Sequence, residues 1–199
     1  MVFSEGTIAA ISTALGEGGI GIVRISGDKS IDIITDIFEA NSGKSPKEFK
    51  NRTLYLGEIK DPATGEHVDQ VLVAVFKAPY TYTREDMGEV NCHGGRVAQQ
   101  RILQLALNRG ARIAEPGEFT MRAFLNGRID LSQAEAVIDI IRAKTHRALT
   151  MAKQQLSGGT SKRIGGIRHK ILAIIAHVEA NIDFPEDDIP EADPRHILQ

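Results

Sequence analysis

The sequence predicts an α+β protein, in which a mixed α/β domain is followed by the long antiparallel helices of an incomplete helical domain. Up to about Glu118, short apolar segments with strand character alternate with helical patterns, and glycine-containing turns separate them. Beyond that residue, apolar side chains recur only at the spacing of helices. We therefore assign residues 1–118 to the first domain and residues 119–199 to the second.

The first domain contains several segments with the composition of β-strands. They are residues 7–12, 20–25, 54–59, 71–76, 87–92 and 112–114. Residues 61–66 are rich in turn formers and join two of these segments, which predicts a β-hairpin. Asp28 or Ser30 is suited to cap a first helix whose apolar positions extend to Phe38. A second helix is predicted from Arg96 to Asn108.

The second domain is predicted to begin with a long helix. Ser132 and Glu135 have the spacing of a capping box, and helical periodicity continues until Ser157-Gly-Gly159. A second long helix follows, with apolar residues from Ile164 to Ile182, and Asp183-Phe-Pro185 ends it. Two antiparallel helices need further partners to bury both apolar faces. We therefore expect the helical domain to be incomplete.

The composition is that of a soluble globular protein. Hydrophobic residues make up 42% of the 199 residues, charged residues make up 25%, and the net charge is −2. The single cysteine, Cys92, excludes an internal disulfide and favours a reducing cytoplasm. We see no signal peptide and no apolar segment long enough to span a membrane.

Three short motifs resemble known sites, but each lacks the structure that its chemistry requires. Gly16–Gly21 fits G-x-G-x-x-G, yet a strand pattern follows it where a dinucleotide site needs a helix N-terminus. Gly43-Lys-Ser45 resembles the end of a P-loop, but Pro46 opposes the helix that should follow. Cys92 and His93 are strand neighbours and should point to opposite faces, so they do not predict a thiolate–imidazole pair.

Charge is segregated in the second domain. From Arg142 to Lys170 there are eight basic residues and no acidic one, and an acidic stretch runs from Glu179 to Asp193. Such runs commonly form solvated helix faces or a polar linker. They also suit contact with a phosphate backbone or an acidic partner, and the sequence leaves both interpretations open.

Three further charged residues lie beside glycines at predicted element junctions. They are Arg24, Glu89 and Arg128. They are either unrelated surface charges or parts of one polar pocket with a carboxylate and two guanidinium groups. A carboxylate accepts paired N–H donors of a ligand, and arginine binds carboxylate or carbonyl oxygens.

Around these residues the sequence resembles a known family. The segments GGIGIVRISG, HGG, PGEFTMRAFLNGRIDLSQAEAV and IDFPEDDI occur in the order and spacing of the tRNA modification GTPase family called MnmE or TrmE. The resemblance implies a tetrahydrofolate-binding domain that dimerises and a helical domain into which a Ras-like GTPase is inserted. It also implies that, with the FAD-dependent partner MnmG (GidA), the protein adds an aminomethyl-type group to the wobble uridine of tRNA.

The resemblance also implies which residues contact the folate. The family's folate-binding positions fall on Arg24, Glu89 and Arg128, the last of which is usually lysine in the family. The ligand is expected to be 5-formyl-tetrahydrofolate or methylene-tetrahydrofolate. GTP, Mg²⁺ and K⁺ belong to the GTPase domain, whose P-loop is not within these 199 residues. We assign no catalytic residue and no metal site to this chain.

Two other functions are compatible with the residues. A self-contained, folate-dependent one-carbon transferase of the aminomethyltransferase type is one, although no good nucleophile or general base stands out. The other is a scaffold that binds no folate and contacts tRNA only through its basic helices.

Overall fold

The structure is a computed structural model that describes residues 6–14 and 16–183. It confirms the predicted α+β class, with a mixed β-sheet and six α-helices in this part of the chain. The chain divides into two compact units, Met1–Arg128 and Ile129–Gln199. Most of the acidic stretch and of the IDFPEDDI segment lies outside the described residues. None of the described helices combines the length and apolar character that crossing a bilayer requires.

The first unit is built on a seven-stranded sheet. Its strands are β1 (Ile8–Ile11), β2 (Ile20–Ser26), β3 (Phe38–Ala40), β4 (Leu54–Lys60), β5 (His67–Phe76), β6 (Met87–His93) and β7 (Arg112–Ile113). Their order is β3-β4-β5-β6-β2-β1-β7, and every neighbouring pair is antiparallel except β1 and β7. The predicted strands are confirmed, and β4 and β5 form the predicted hairpin.

Helices α1 (Ser30–Ile37) and α2 (Arg96–Asn108) cover one face of this sheet. Val23, Val73 and Val90 are register partners on β2, β5 and β6, and all three are fully buried in the same core as the two helices. Because strand side chains alternate between faces, the neighbours Arg24 and Glu89 lie on the opposite face. That face carries the candidate site described below.

Helix α1 differs from the prediction at both ends. Its N-cap residue is Lys29, which makes no side-chain capping bond, and neither Asp28 nor Ser30 has that role. The helix ends at Ile37 because Phe38 already has extended backbone angles and begins β3. A third helix, α3 (Glu118–Leu125), was not predicted and belongs to the first unit rather than to the second.

The glycine-rich turn before β2 packs against another turn of the same unit. A Cβ atom at Gly94 would lie 2.1 Å from the carbonyl oxygen of Gly18, so only glycine permits this approach of the two backbones. Strand β2 follows the turn directly, as expected, and no helix begins there. The G-x-G-x-x-G pattern therefore has a packing explanation.

The second unit contains α4 (Leu131–Arg142), α5 (His146–Leu156) and α6 (Gly159–Asp183). The single helix predicted between Ser132 and Leu156 is wrong: the chain breaks after Arg142, and the side chain of Thr145 caps α5 by accepting a bond from the Ala148 N–H at 3.1 Å. Gln133 Nε2 donates to the Leu156 carbonyl at 2.8 Å, so the start of α4 lies beside the end of α5. These two helices are therefore antiparallel.

The predicted cap of α4 is also wrong. Asp130 is the N-cap residue, and it exchanges two hydrogen bonds of 2.9 Å with Gln133 in a capping box. Ser132 lies inside the helix, and its hydroxyl donates to the Asp130 carboxylate at 2.9 Å. Hydrogen bonds from Ser161 and then from the Gln133 backbone lower the pKa of Asp130. A carboxylate is well suited to this position because it faces the positive end of the helix dipole.

Helix α6 extends to Asp183, where the prediction placed its end. Many of its apolar side chains are exposed; Ile164, Ile167 and Ile171 retain 59%, 60% and 50% of their accessible surface. An apolar helix stripe of this kind ordinarily packs against another element. The second unit, considered by itself, thus has the unfinished packing that the sequence predicts.

Candidate functional site

The candidate site is centred on an ion pair between Arg24 and Glu89. The two residues are direct partners in the antiparallel pairing of β2 and β6. Glu89 Oε1 accepts from Arg24 Nη2 at 2.7 Å and from Nε at 2.8 Å, and both side chains are partly exposed. The sheet register therefore places a carboxylate and a guanidinium together on the face that α1 and α2 leave open.

Tyr82 connects this pair with Arg128. The guanidinium carbon of Arg24 lies 5.9 Å from the centroid of the Tyr82 ring, and that of Arg128 lies 4.7 Å from it. Arg128 Nη1 also donates to the Tyr82 carbonyl oxygen at 3.1 Å. Phe119 of α3 adds a second ring, 5.6 Å from the Arg24 guanidinium carbon. Two of the predicted residues, Arg24 and Arg128, thus lie beside a tyrosine that sequence reasoning missed, and the third, Glu89, is held there by its ion pair with Arg24.

Tyr82 belongs to the segment between β5 and β6, residues 77–86, which we call the β5–β6 loop. Its position depends on buried polar contacts: the Ser26 hydroxyl lies 2.7 Å from that of Thr83 and donates to Glu85 Oε2 at 2.7 Å. Asn126 Nδ2 donates to the Thr83 carbonyl at 2.6 Å. The Tyr82 hydroxyl lies 2.9 Å from that of Thr120 on α3. Strand β2 and α3 therefore hold the loop from two sides.

A buried ionic network holds α3 in turn. Glu118, only 3% exposed, accepts from Arg112 at 2.5 and 2.8 Å and from Arg122 at 3.1 Å. Arg122 also donates to both carboxylate oxygens of Glu85 at 3.0 Å. Such charge-assisted hydrogen bonds are stronger than hydrogen bonds between neutral groups. Together they fix α3, β7 and the β5–β6 loop relative to each other.

Burial by itself would raise the pKa of Glu118. Hydrogen bonds from Arg112, from the Glu115 backbone and from Arg122 outweigh it and lower that pKa to about 2. The Glu118 side chain is therefore a permanent anion near neutral pH. Its role is to position α3, and it lies within the network rather than against the Tyr82 ring.

A cavity of about 460 Å³ adjoins the site on the side of Arg128. It is lined by Arg52, Phe76, Pro79, Tyr80, Thr81, Tyr82, Arg84 and Arg128. Arg128 and Tyr82 therefore belong both to the site and to this cavity. Three arginines and several rings make its surface both cationic and aromatic.

The other sequence motifs have structural explanations. Cys92 is buried, its thiol donates to the Gly21 carbonyl at 3.3 Å, and burial first, then the charge of Asp69, raises its pKa to about 11. His93 points the other way and pairs with Asp69 at 2.6 Å, which confirms that the two neighbours do not form a catalytic pair. Ser45 caps the 3₁₀ helix Pro46–Glu48. Among the described residues, no group of three or more His, Cys, Asp or Glu side chains is arranged to hold a metal ion.

The arrangement is suited to a planar, hydrogen-bonding ligand. The Glu89 carboxylate has further lone pairs for N–H donors, and the guanidinium groups have N–H donors for carbonyl or carboxylate oxygens. The rings of Tyr82 and Phe119 offer apolar contact for a flat ring system. A heteroaromatic ring that carries amino and carbonyl groups uses all of these features.

Comparison with known proteins matches each of the two compact units to a family. Residues 7–128 match the family described as the GTP-binding protein TrmE N-terminus, and residues 131–199 match the MnmE helical domain. The first match ends at Arg128, where the first compact unit ends.

Similar proteins named tRNA modification GTPase MnmE occur in several bacteria. Those of Geobacillus kaustophilus and Thermoanaerobacter pseudethanolicus are 58% and 56% identical over 194 and 199 residues, which is 97% and 100% of this chain but 42% and 43% of those proteins. That of Lactiplantibacillus plantarum is 57% identical over 193 residues, 97% of this chain and 41% of that protein. The chain thus spans about two fifths of the length of the curated relatives it matches. It belongs to the TrmE or MnmE family of tRNA modification GTPases, of which it contains the N-terminal and helical regions.

Proposed function

We propose that the first unit binds a one-carbon tetrahydrofolate, 5-formyl-tetrahydrofolate or methylene-tetrahydrofolate, at the site formed by Arg24, Glu89 and Arg128. One observation carries the proposal: Arg24 and Arg128, far apart in the sequence, both lie beside the ring of Tyr82, and Glu89 is ion-paired with Arg24. The pterin ring has an amino group next to a ring N–H, and this pair matches the two oxygens of Glu89. Its carbonyl oxygen suits the guanidinium of Arg24.

In the wider proposal, the chain is the N-terminal part of a cytoplasmic protein that modifies tRNA. The bound folate would supply the one-carbon unit, and an FAD-dependent partner, MnmG (GidA), would act with it to build an aminomethyl-type group on the wobble uridine. GTP, Mg²⁺ and K⁺ would act in the GTPase domain of the whole protein. The names of the relatives, which state tRNA modification and GTPase activity, support this role.

We further propose that two copies associate through the open face of the sheet. Register places Leu56 beside Leu72 on β4 and β5, and they are 46% and 40% exposed; Leu54, one position earlier on that face, is 56% exposed. The same face continues across β6 and β2 to Glu89 and Arg24. Contiguous exposed leucines next to a ligand site favour an interface between subunits.

Equilibrium dialysis with 5-formyl-tetrahydrofolate tests the folate proposal. The 199-residue chain should bind the ligand saturably, with one site per chain. Arg96→Gln is a matched control because Arg96 is an exposed arginine at the start of α2, and it should bind as the parent does. Absence of saturable binding to the parent would refute the proposal. Turnover of methylene-tetrahydrofolate by the isolated chain would favour the self-contained transferase instead.

A further inference from the structure

The cavity beside Arg128 gathers arginines that lack a carboxylate partner. Of the nine arginines in the first unit, five form ion pairs with Asp or Glu. Within residues 6–14 and 16–183, the other four have none, and three of them, Arg52, Arg84 and Arg128, line this one cavity. Elsewhere in the described part of the unit, every arginine except Arg96, at the start of α2, is paired with a carboxylate of the protein. Here the positive charge is left for something else to neutralise.

The backbone at two of these arginines is strained. Arg52 and Arg84 have φ angles of 62° and 61°, and they are the non-glycine residues with positive φ in the described part of the chain. The left-handed conformation is unfavourable for a residue with a Cβ atom, which approaches the following carbonyl oxygen too closely. Both strained residues direct side chains to the same cavity, although glycine would fit their backbone angles better. Strain of this kind concentrates at functional sites.

The three guanidinium groups are oriented by backbone carbonyls. Arg84 Nη1 donates to the Asn126 carbonyl at 3.0 Å, and Arg128 Nη1 donates to that of Tyr82 at 3.1 Å. Arg52 Nη2 donates to the carbonyl of Tyr80. A carbonyl fixes the direction of a guanidinium without cancelling its charge, and each group has five N–H donors. The cavity is therefore preorganised for an anion.

We propose that this cavity binds the carboxylates of the poly-γ-glutamate tail of the folate. The inference rests on the proposed folate site, with which the cavity shares Tyr82 and Arg128. A tail that leaves a ring bound at Arg24 and Glu89 and passes Tyr82 enters this space. Each γ-glutamyl unit brings one carboxylate for an arginine and a short methylene chain for the walls formed by Phe76, Pro79 and Tyr80.

The shape of the cavity favours this ligand over a nucleic acid. Its volume of about 460 Å³ lies in the range of small-molecule sites, and its walls are partly apolar. A phosphate backbone needs cations spread along an extended surface instead. Bidentate contact between arginine and carboxylate also favours a ligand with successive carboxylates.

The test compares 5-formyl-tetrahydrofolate carrying one glutamate with the same folate carrying three. Calorimetry on the 199-residue chain gives the ratio of the two dissociation constants, and the triglutamate should bind roughly tenfold more tightly. In the double variant Arg52→Gln/Arg84→Gln the ratio should fall to within about twofold of unity. Arg52→Lys/Arg84→Lys, which keeps both charges, should retain most of the preference. Arg96→Gln should leave the ratio unchanged.

The measured quantity is the ratio of the dissociation constants of the two folates. A general loss of affinity in the double variant weakens the binding of both folates equally and leaves this ratio unchanged, so it cannot be mistaken for the expected result. Equal binding of the two folates by the parent would overturn the tail proposal while leaving the folate site intact. An unchanged ratio in the double variant would also overturn the tail proposal and leave the folate site intact. Loss of tRNA binding by the double variant, with its ratio of dissociation constants unchanged, would have the same consequence. Failure of the parent to bind either folate would instead refute the proposed function, and the tail site with it.

Discussion

Arg24 and Glu89 are directly opposed on neighbouring antiparallel strands, and their side chains form an ion pair of 2.7 Å on the face of the sheet that the helices leave open. The register of β2 with β6 sets this relationship, so a slip of either strand by one residue would turn that strand's charged side chain towards the core. The pair is only partly exposed, with Tyr82 and Phe119 near the guanidinium. It is thus a fixed polar element that a ligand meets already assembled.

The first prediction concerns the ring of Tyr82. Tyr82→Ala removes the ring that lies near both Arg24 and Arg128, and we expect 5-formyl-tetrahydrofolate to bind about tenfold more weakly. Tyr82→Phe keeps the ring and loses only the hydroxyl contact with Thr120, so its affinity should stay within about threefold of the parent. Calorimetric titration of both variants with 5-formyl-tetrahydrofolate measures these affinities. Equal affinity in Tyr82→Ala and the parent would remove Tyr82 from the site.

The second prediction concerns the acid stability of the first unit. The pKa of Glu118 is about 2 in the folded chain against an ordinary value of 4.5 for a glutamate carboxyl, so the folded state favours the anion. This stabilisation is fully present above about pH 4.5 and is lost as the pH falls towards 2. Its size corresponds to about 3 kcal/mol. Glu118→Gln should therefore lower the free energy of unfolding strongly at pH 7 and much less at pH 3.

Urea unfolding followed by circular dichroism at the two pH values measures this difference. Glu17→Gln is the matched control, because Glu17 is an exposed carboxylate of the same unit that forms no ion pair with the described residues. It should unfold as the parent does at both values. A destabilisation by Glu118→Gln that is as large at pH 3 as at pH 7 would contradict the assignment of the network's strength to the Glu118 charge.

Most strands of the first unit were predictable because each apolar run is bounded by turn residues and pairs within one sheet. Helix α3 was not, since its eight residues are too few for a clear period and its charges suggested a site. Those charges have several roles: Glu118 and Arg122 hold the helix, Asn126 holds the β5–β6 loop, and Arg128 contacts Tyr82. Only tertiary contacts separate these roles.

The two wrong predictions in the second unit concern the cap of α4 and the break before α5. Asp130 and Ser132 are both suitable caps, each with a Gln or Glu three residues later, and the sequence does not rank them. The break before α5 leaves a trace only in Thr145, which is a good N-cap residue inside an apparently continuous pattern. Tyr82 gave no sequence indication at all, because its importance depends on the pairing of β2 with β6.

The third prediction concerns assembly. The chain should form a dimer with a mass near twice 21.7 kDa in light scattering at micromolar concentration. Leu56→Asp places a charge among exposed leucines of the open face and should shift the equilibrium to monomer. Val97→Asp is the matched control, since Val97 is 81% exposed but lies on α2. A monomer mass for the parent over a wide concentration range would refute association of this chain.

The fourth prediction concerns the basic stretch from Arg142 to Lys170. We expect weak tRNA binding that falls steeply with salt, since each neutralised phosphate adds about 0.7 to 0.9 to the log–log slope. Replacing Arg142, Lys144 and Arg147 together by alanine should lower both the affinity and this slope. Gel-shift titrations at several salt concentrations measure both quantities.

The control for the basic stretch removes the same charge elsewhere. Lys29, Lys44 and Lys50 are exposed lysines of the first unit, and their combined replacement by alanine should leave tRNA binding almost unchanged. Equal effects of the two triple variants would mean that only net charge matters. Unchanged binding in the Arg142, Lys144 and Arg147 variant would identify the stretch as a solvated face or as a surface for another part of the protein.

The most direct measurement of the folate site is a calorimetric titration of the chain and of Glu89→Gln with 5-formyl-tetrahydrofolate. The substitution keeps the shape of the side chain but removes the charge opposite Arg24 and one of the two acceptors available to the pterin N–H groups. It should weaken binding by about 2–5 kcal/mol, whereas Glu135→Gln, at an exposed position of α4, should not. Equal affinity of Glu89→Gln and the parent would contradict the account.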